Sequence, residues 1–396
     1  MFKTIDFFNG ENKKYLENVL SNSSPFKNKI NGYGDTIFHN NHHDYWDLHY
    51  AIKLKFDINI QNDKGDTIFH NGYHTGNLKM AIENGFNTNL QNRDGDTIFH
   101  NGLNQDYLKL AIEKGFDTNL KNRDGDTVFH NGYNASLIDM AIKKNFNLNS
   151  QNNYGDTIFH KNFFNTGEIE YVIKKGFNVN LQNKFGETIF HNEYHSESIS
   201  KCLKYINVNL QNKNGDTIFH KGYFHFYLKT AIEFGLDVNL KNNKGDTIFH
   251  YNMDDCYIEK DYSRHLQYAI DNGFDVNTQN DKGDTIFHNG CNWNDLEHAI
   301  KNGFNINIQN KNRDTVFHEN FAHSHTLKYA IDNGFNFNIQ NNSGNTIFHR
   351  NYHRDDIWNA IEKGFDFNIK NNNGETVFRN CYQNYYLQMK ENGFLN

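Results

Sequence analysis

Along the chain, apolar and polar residues fall into one phrase of about 30 residues that recurs twelve times. In the copy that begins at Asn92, the polar run Asn92-Arg93-Asp94-Gly95-Asp96-Thr97 gives way to Ile98 and Phe99, then to His100, Asn101 and Gly102. Gly95 supplies the permissive backbone of a tight turn, and Thr97 is placed to cap a short first helix. Asn101 and Gly102 are poor helix-interior residues, so this helix is expected to last one or two turns. After a connection through Leu103, Asn104 and Gln105, the residues Tyr107, Leu108, Ala111 and Ile112 share one helical face. They predict an amphipathic second helix that stops at Gly115, with Phe116 folding back on the core. From Phe116 to Thr127 apolar and polar residues alternate into a glycine turn, which predicts an extended finger leading to the next copy. Units of this kind bury their apolar faces only by stacking.

The threonines at 36, 67, 97, 127, 157, 188, 217, 247, 285, 315, 346 and 376 set the register, with spacings of 29 to 31 except between Thr247 and Thr285. On these residues the chain resembles the ankyrin family. That family's pattern pairs Gly-x-Thr-Pro-Leu-His with a later Gly-Ala-Asp-Val-Asn; here the slots read Gly245-Asp246-Thr247-Ile248-Phe249-His250 and Gly273-Phe274-Asp275-Val276-Asn277. Ile or Val replaces the proline, Phe replaces the leucine, and each copy is about three residues shorter between its helices. The resemblance implies an all-α, ankyrin-like α-solenoid of about 12–13 helix-turn-helix copies with short β-hairpin-like fingers. It also implies that the histidine is structural, bonded to the threonine three residues earlier and to the backbone of the adjacent copy. Finger asparagines such as Asn89, Asn119 and Asn239 are expected to bond between neighbouring fingers, and in that family the matching asparagine is open to hydroxylation. Residues 1–30, where Thr4, Ile5, Asn9, Gly10, Tyr15 and Leu16 echo the pattern, are expected to form a degenerate N-terminal cap. Residues 31–396 form the array, with a loop insertion at about 251–264 and a C-terminal cap at about 371–396, where Arg379 stands in the histidine slot.

The net charge of −7 is mixed through every copy, so no basic stripe of the kind a phosphate backbone requires is present, and nucleic acid is not an expected partner. Cys202, Cys256, Cys291 and Cys381 form no C-x-x-C pair, and the opening residues are acidic where a secretory leader needs an apolar run. A monomer in the cytoplasm, with no membrane contact, is expected. The abundance of Asn, Lys, Ile, Phe and Tyr beside the single proline, Pro25, is typical of an AT-rich genome and suggests a viral or intracellular-bacterial factor acting in a host cytosol. Eleven repeated histidines, about 8–10 Å apart if their helices stack, cannot share a metal whose ligands sit about 2 Å away. His42 with His43, and His323 with His325, lie in connections where metal contact would be incidental. No catalytic motif stands outside the repeat, so no catalytic residue, metal or cofactor is expected.

The informative positions are those where the repeat is broken. Trp358 occupies a slot held elsewhere by Lys79, Lys109 and Lys229, and Trp293 lies where other copies carry Thr75 or Gln105. Each reads either as an interface anchor or as the cover of a local gap. The insertion carries Asp254, Asp255, Tyr257, Asp261 and Tyr262, a docking loop or a neutral expansion. Phe224 and Phe226, flanking His225, add aromatics to a third connection. The expectation from these residues is a non-catalytic scaffold that binds a protein partner through its repeat surface. The alternative is a substrate-targeting subunit of a larger enzymatic complex such as a ubiquitin ligase.

Overall fold

The computed structural model describes residues 31–39, 45–72, 75–102, 105–132, 135–160, 166–191, 199–220, 227–250, 259–288, 293–319, 324–350 and 354–378. The expected N-terminal cap, residues 251–258 of the insertion and residues 379–396 of the C-terminal cap lie outside them. The chain gathers into two compact units, Met1–Ser198 and Ile199–Asn396.

In the first unit the helices are Tyr45–Lys53, Leu78–Glu83, Leu108–Glu113, Ala135–Lys143 and Thr166–Lys174, and consecutive ones among Leu78–Glu83, Leu108–Glu113 and Ala135–Lys143 lie against each other. The helix Leu108–Glu113 illustrates why. Leu108, Ala111 and Ile112 are fully buried on one face, while Lys109 and Glu113 face solvent. Its end is a Schellman motif: Phe116 N–H donates to the Ala111 carbonyl at 2.8 Å and Gly115 N–H to Ile112 at 3.3 Å, with Gly115 at φ +105°. That turn delivers Phe116 onto Phe99 of its own copy, edge to face at 5.0 Å between centroids. The second unit repeats the arrangement with helices Ile199–Cys202, Leu228–Glu233, Glu259–Asp271, Trp293–Lys301, Ser324–Asp332 and Arg354–Glu362. Its largest fully buried side chains are Phe219, Phe249, Phe287, Phe317 and Phe348, one per copy in the slot of Phe99.

Two local expectations are corrected. In most described copies, residues 98–100 among them, the expected first helix is only a hydrogen-bonded turn; it becomes a single 3-10 turn in Ile37–His39, Ile189–His191 and Ile347–His349 and reaches four residues in Val316–Glu319. The cause is the cap itself: Thr346 accepts from the third residue's backbone while the His349 ring accepts from the Thr346 N–H, closing the turn on itself. The fingers, expected to be hairpin-like, carry no strand among the described residues beyond an isolated antiparallel bridge between Gln151 and Thr157. Side chains take the backbone groups that a ladder would pair. The Asn122 side-chain carbonyl accepts from the N–H groups of Asp124 and Asp126 at 3.0 and 2.9 Å, and Gln91 Nε2 donates to the carbonyls of Gly95 and Lys121 at 2.6 and 2.8 Å. The described chain is therefore all-α, with turns where strands were anticipated.

Candidate functional site

The fingers of successive copies are joined by a repeated set of bonds. Between the copies of Asn92 and Asn122, Arg123 N–H donates to the Asp94 carbonyl at 2.6 Å and Asn122 Nδ2 donates to Asp96 Oδ1 at 2.8 Å. Asn89 adds two more, donating to the Gly115 carbonyl and accepting from Asp117 N–H. His100 closes the set. Its Nε2 lies 3.1 Å from the Asp126 carbonyl, which only accepts, so Nε2 carries the proton and Nδ1 accepts from Thr97 N–H at 3.0 Å. The ring is wholly buried, and that burial holds its pKa below the ordinary imidazole value against the pull of Asp96 and Asp126. Both nitrogens are engaged and the ring is neutral, so it is unavailable as a general acid or base.

This bonding fixes what the finger edge presents. The residue just before the turn glycine donates its N–H inward, so its side chain projects outward; Tyr154 donates to Asn152 Oδ1 and lends its carbonyl to Lys184 N–H of the next copy, and Phe185 donates to Asn183 Oδ1. Nine copies put a polar residue there: Lys64, Asp94, Asp124, Asn214, Lys244, Lys282, Asn312, Ser343 and Asn373. Three put an aromatic there instead. Tyr33, Tyr154 and Phe185 are exposed at 74%, 54% and 60%, and Tyr154 and Phe185 belong to adjacent copies of the first unit. Beside the polar tips of the same unit runs a recess of about 450 Å³ lined by Lys64, Asp66, His70, Asn92, Arg93, Asp94, Asp96 and Arg123, among others. Its carboxylates are already bonded: Asp66 and Asp96 accept from Asn92 and Asn122, and Asp94 pairs with Arg123 at 2.8 Å. His70 is held by Thr67 N–H and the Asp96 carbonyl, so both its ring nitrogens are occupied in the manner of His100. The recess offers polar recognition and no group poised for chemistry. Among the described residues no three His, Cys, Asp or Glu side chains gather to hold a metal, and no helix is long and apolar enough to cross a membrane.

Of the positions singled out from the sequence, the structure describes Trp293 and Trp358 in full and Asp261 and Tyr262 in their helix only. Trp293 opens the helix Trp293–Lys301, half-buried, with its ring parallel to that of Phe317 at 6.3 Å between centroids. Trp358 lies half-buried in the helix Arg354–Glu362. Asp261 and Tyr262 fall in the helix Glu259–Asp271, but their side chains lie outside the described set. Phe224, Phe226, Asp254, Asp255 and Tyr257 lie outside the described residues altogether, as do His42, His43 and His323. His325 sits 3.4 Å from Glu297. Sequence reasoning misses the aromatic tips because it looks for costly residues in the helices and connections of the repeat. The signal that finds them is an apolar residue in a turn slot filled elsewhere by Lys, Asp, Asn or Ser.

No family model matches the chain, and no curated protein matches it. Among solved structures it is similar to a predatory endopeptidase from Bdellovibrio bacteriovorus in complex with an immunity protein, at 24% identity over 39% of this chain and 86% of that chain, with a TM-score of 0.32. This finding corrects the functional expectation. The neighbour is described as an endopeptidase, so the non-catalytic scaffold acting in a host cytosol and its alternative, the targeting subunit of a ligase, are withdrawn, whereas recognition of a protein as such is left open. At that TM-score the likeness transfers no fold and no activity to the present chain.

Proposed function

We propose that this chain is an ankyrin-like α-solenoid whose finger edge recognises a protein ligand, with Tyr154 and Phe185 as the anchoring pair. The observation that supports this reading is the exposure of two aromatic rings on adjacent fingers, each more than half open to solvent, at a slot where nine of the twelve copies carry polar residues. Large aromatic side chains are the typical anchors of protein interfaces, because each brings much contact area at little conformational cost. The backbone beneath them is held by Lys184 N–H to the Tyr154 carbonyl at 2.8 Å, so the pair is presented on a fixed base. The recess of the earlier copies, with Lys64, Arg93 and Arg123 beside bonded carboxylates, supplies a polar margin on the same unit. The protein acts as a monomer in the cytoplasm and does not use nucleic acid, in keeping with its mixed charge of −7.

A photo-crosslinking residue placed at Tyr154, at Phe185 and, as a control, at Lys109 on the polar helix face tests this reading in cells. One protein captured from the two tip positions and lost in a Tyr154→Ser, Phe185→Ser variant of unchanged circular dichroism is the expected result. Equal capture from Lys109, or capture unaffected by the double substitution, rejects the finger edge as the binding surface.

A further inference from the structure

Ten histidines of the array make the same joint, five in each unit: in the first from His39 to His160, in the second from His220 to His349. In each, Nδ1 accepts from the N–H of the threonine three residues back and Nε2–H donates to a backbone carbonyl of the following copy. A proton added at Nδ1 would point at that threonine N–H and at its hydroxyl, 2.8 Å away in the case of Thr97. Protonation therefore removes one bond of the cap and places a cation in a buried site. We propose that the histidine row is an acid-sensitive latch: each unit keeps its copies joined at neutral pH and releases them together over a narrow span of mildly acidic pH.

The charges that face these rings are acidic for the most part. Asp96 and Asp126 face His100, and Asp126 and Asp156 face His130 together with Lys121. Asp246, Asp284 and Lys241 face His250, whereas Asp314, Arg350 and His288 face His318. The carboxylates favour the protonated ring, yet burial outweighs them, and all four histidines lie below the ordinary imidazole value. His70, His220, His288 and His349 are lowered for the same leading reason. The sign follows. Below a pH of about 6.5 the unfolded chain takes up protons that the folded chain refuses, so the stabilisation is complete above that pH and falls as the pH drops toward the folded values. Each such histidine weakens the folding equilibrium by up to about tenfold per pH unit within that window. The five such histidines of the second unit, acting together, compress the change from 10% to 90% unfolded into about 0.4 pH unit, and the three of the first unit, His70, His100 and His130, compress it into about 0.6, where a single histidine needs about 2.

The test combines two measurements on the full-length chain between pH 8 and pH 5.5, above the range in which ordinary carboxylates bind protons. Long-range proton–nitrogen spectra of histidine-labelled protein report tautomer and charge while the protein is folded, and urea unfolding at each pH gives the proton uptake on unfolding from the pH dependence of the equilibrium. Row histidines that stay neutral as the Nε2–H tautomer at pH 6, with an uptake of three or more protons per unit, bear out the latch. In a His100→Gln, His130→Gln variant the uptake falls by about two. Row histidines that titrate near pH 6.5 with the fold intact, or an uptake of one proton or fewer per unit, overturn it; both readings come from the unsubstituted protein, so they decide the matter even if the variant fails to fold.

Discussion

Replacing Asn122 by Asp changes one NH₂ group to an oxygen and leaves the shape of the side chain unaltered. The carboxylate would still accept from the N–H groups of Asp124 and Asp126, so the turn within the copy retains its bonds. The rung to the preceding copy is lost, because Asn122 Nδ2 donates to Asp96 Oδ1 at 2.8 Å and two carboxylates would now oppose each other. Two unit charges relaxed to about 4 Å repel by about 4 kcal/mol at an effective dielectric near 20, and a charge-assisted hydrogen bond worth about 1.5–3 kcal/mol disappears as well. Partial exposure moderates the sum, and a destabilisation of about 3–5 kcal/mol is expected. The complementary change, Asp96→Asn, is milder, since the chain already contains that pairing: Asn371 Nδ2 donates to Asn345 Oδ1 at 2.9 Å. A neutral bond is roughly half as strong as a charged one, which sets this cost at about 1 kcal/mol. In the double variant the amide and the carboxylate have exchanged sides and the bond re-forms with its direction reversed. Urea unfolding at pH 7.5 and low salt, followed by circular dichroism, gives all three values and a coupling energy of about 2 kcal/mol or more. Equal costs for the two single variants, with additivity in the double, would refute the rung as a source of stability.

Further outcomes are expected from the same geometry. An added Cβ at Gly95 would lie 2.9 Å from Asn122 Cα and 3.1 Å from Arg123 N, whereas at Gly102, of similar positive φ, it meets nothing within 4 Å. Gly102→Ala should therefore cost about 1 kcal/mol of left-handed strain and Gly95→Ala about 2–3 kcal/mol, a difference that paired denaturation curves resolve. Arg313 fills the slot of Gly95 in its own copy at φ +61°, and Arg313→Gly is expected to raise stability by up to about 1 kcal/mol. Phe99→Ala removes a wholly buried ring that stands edge to face with Phe116 and should cost about 3–5 kcal/mol, measured as a shift in urea midpoint at unchanged slope. Trp293→Ala is expected to lower stability by about 1–2 kcal/mol through loss of the half-buried stack on Phe317; an unchanged midpoint would return Trp293 to the role of an exposed anchor.

The repeating copy could be read from the sequence because each of its signals has a single physical use. The glycine that ends the helix at Gly115 and the buried Phe99 stand where periodicity and turn chemistry put them, and the pairing of Thr97 with His100 is the one that the ankyrin resemblance implies. The finger was misread for an equally physical reason. Its apolar and polar alternation suits a strand, but a strand needs its backbone groups to meet another backbone, and Asn122 and Gln91 occupy them first. Rungs such as Asn122 to Asp96 join residues 26 apart in sequence, so nothing local announces them. The tips Tyr154 and Phe185 were visible as exceptions in a turn slot, whereas Trp293, also an exception, turned out to be half-buried against Phe317.

The amide ladder has a bearing on how such a chain survives in a crowded cell. Sequences crowded with asparagine and glutamine are prone to assemble as cross-β fibres, in which stacked side-chain amides bond along the fibre axis. Here the same amides are stacked and bonded along the array itself, Gln61 to Gln91, Gln91 to Lys121, Asn59 to Gly85 and Asn89 to Gly115. Because the finger backbone is taken up by side chains and by turn bonds, and no strand stands among the described residues, these fingers offer a second molecule no open ladder to copy. Folding and protection from fibre formation thus draw on one set of hydrogen bonds, and conditions that open the copies expose the composition that the ladder had kept harmless.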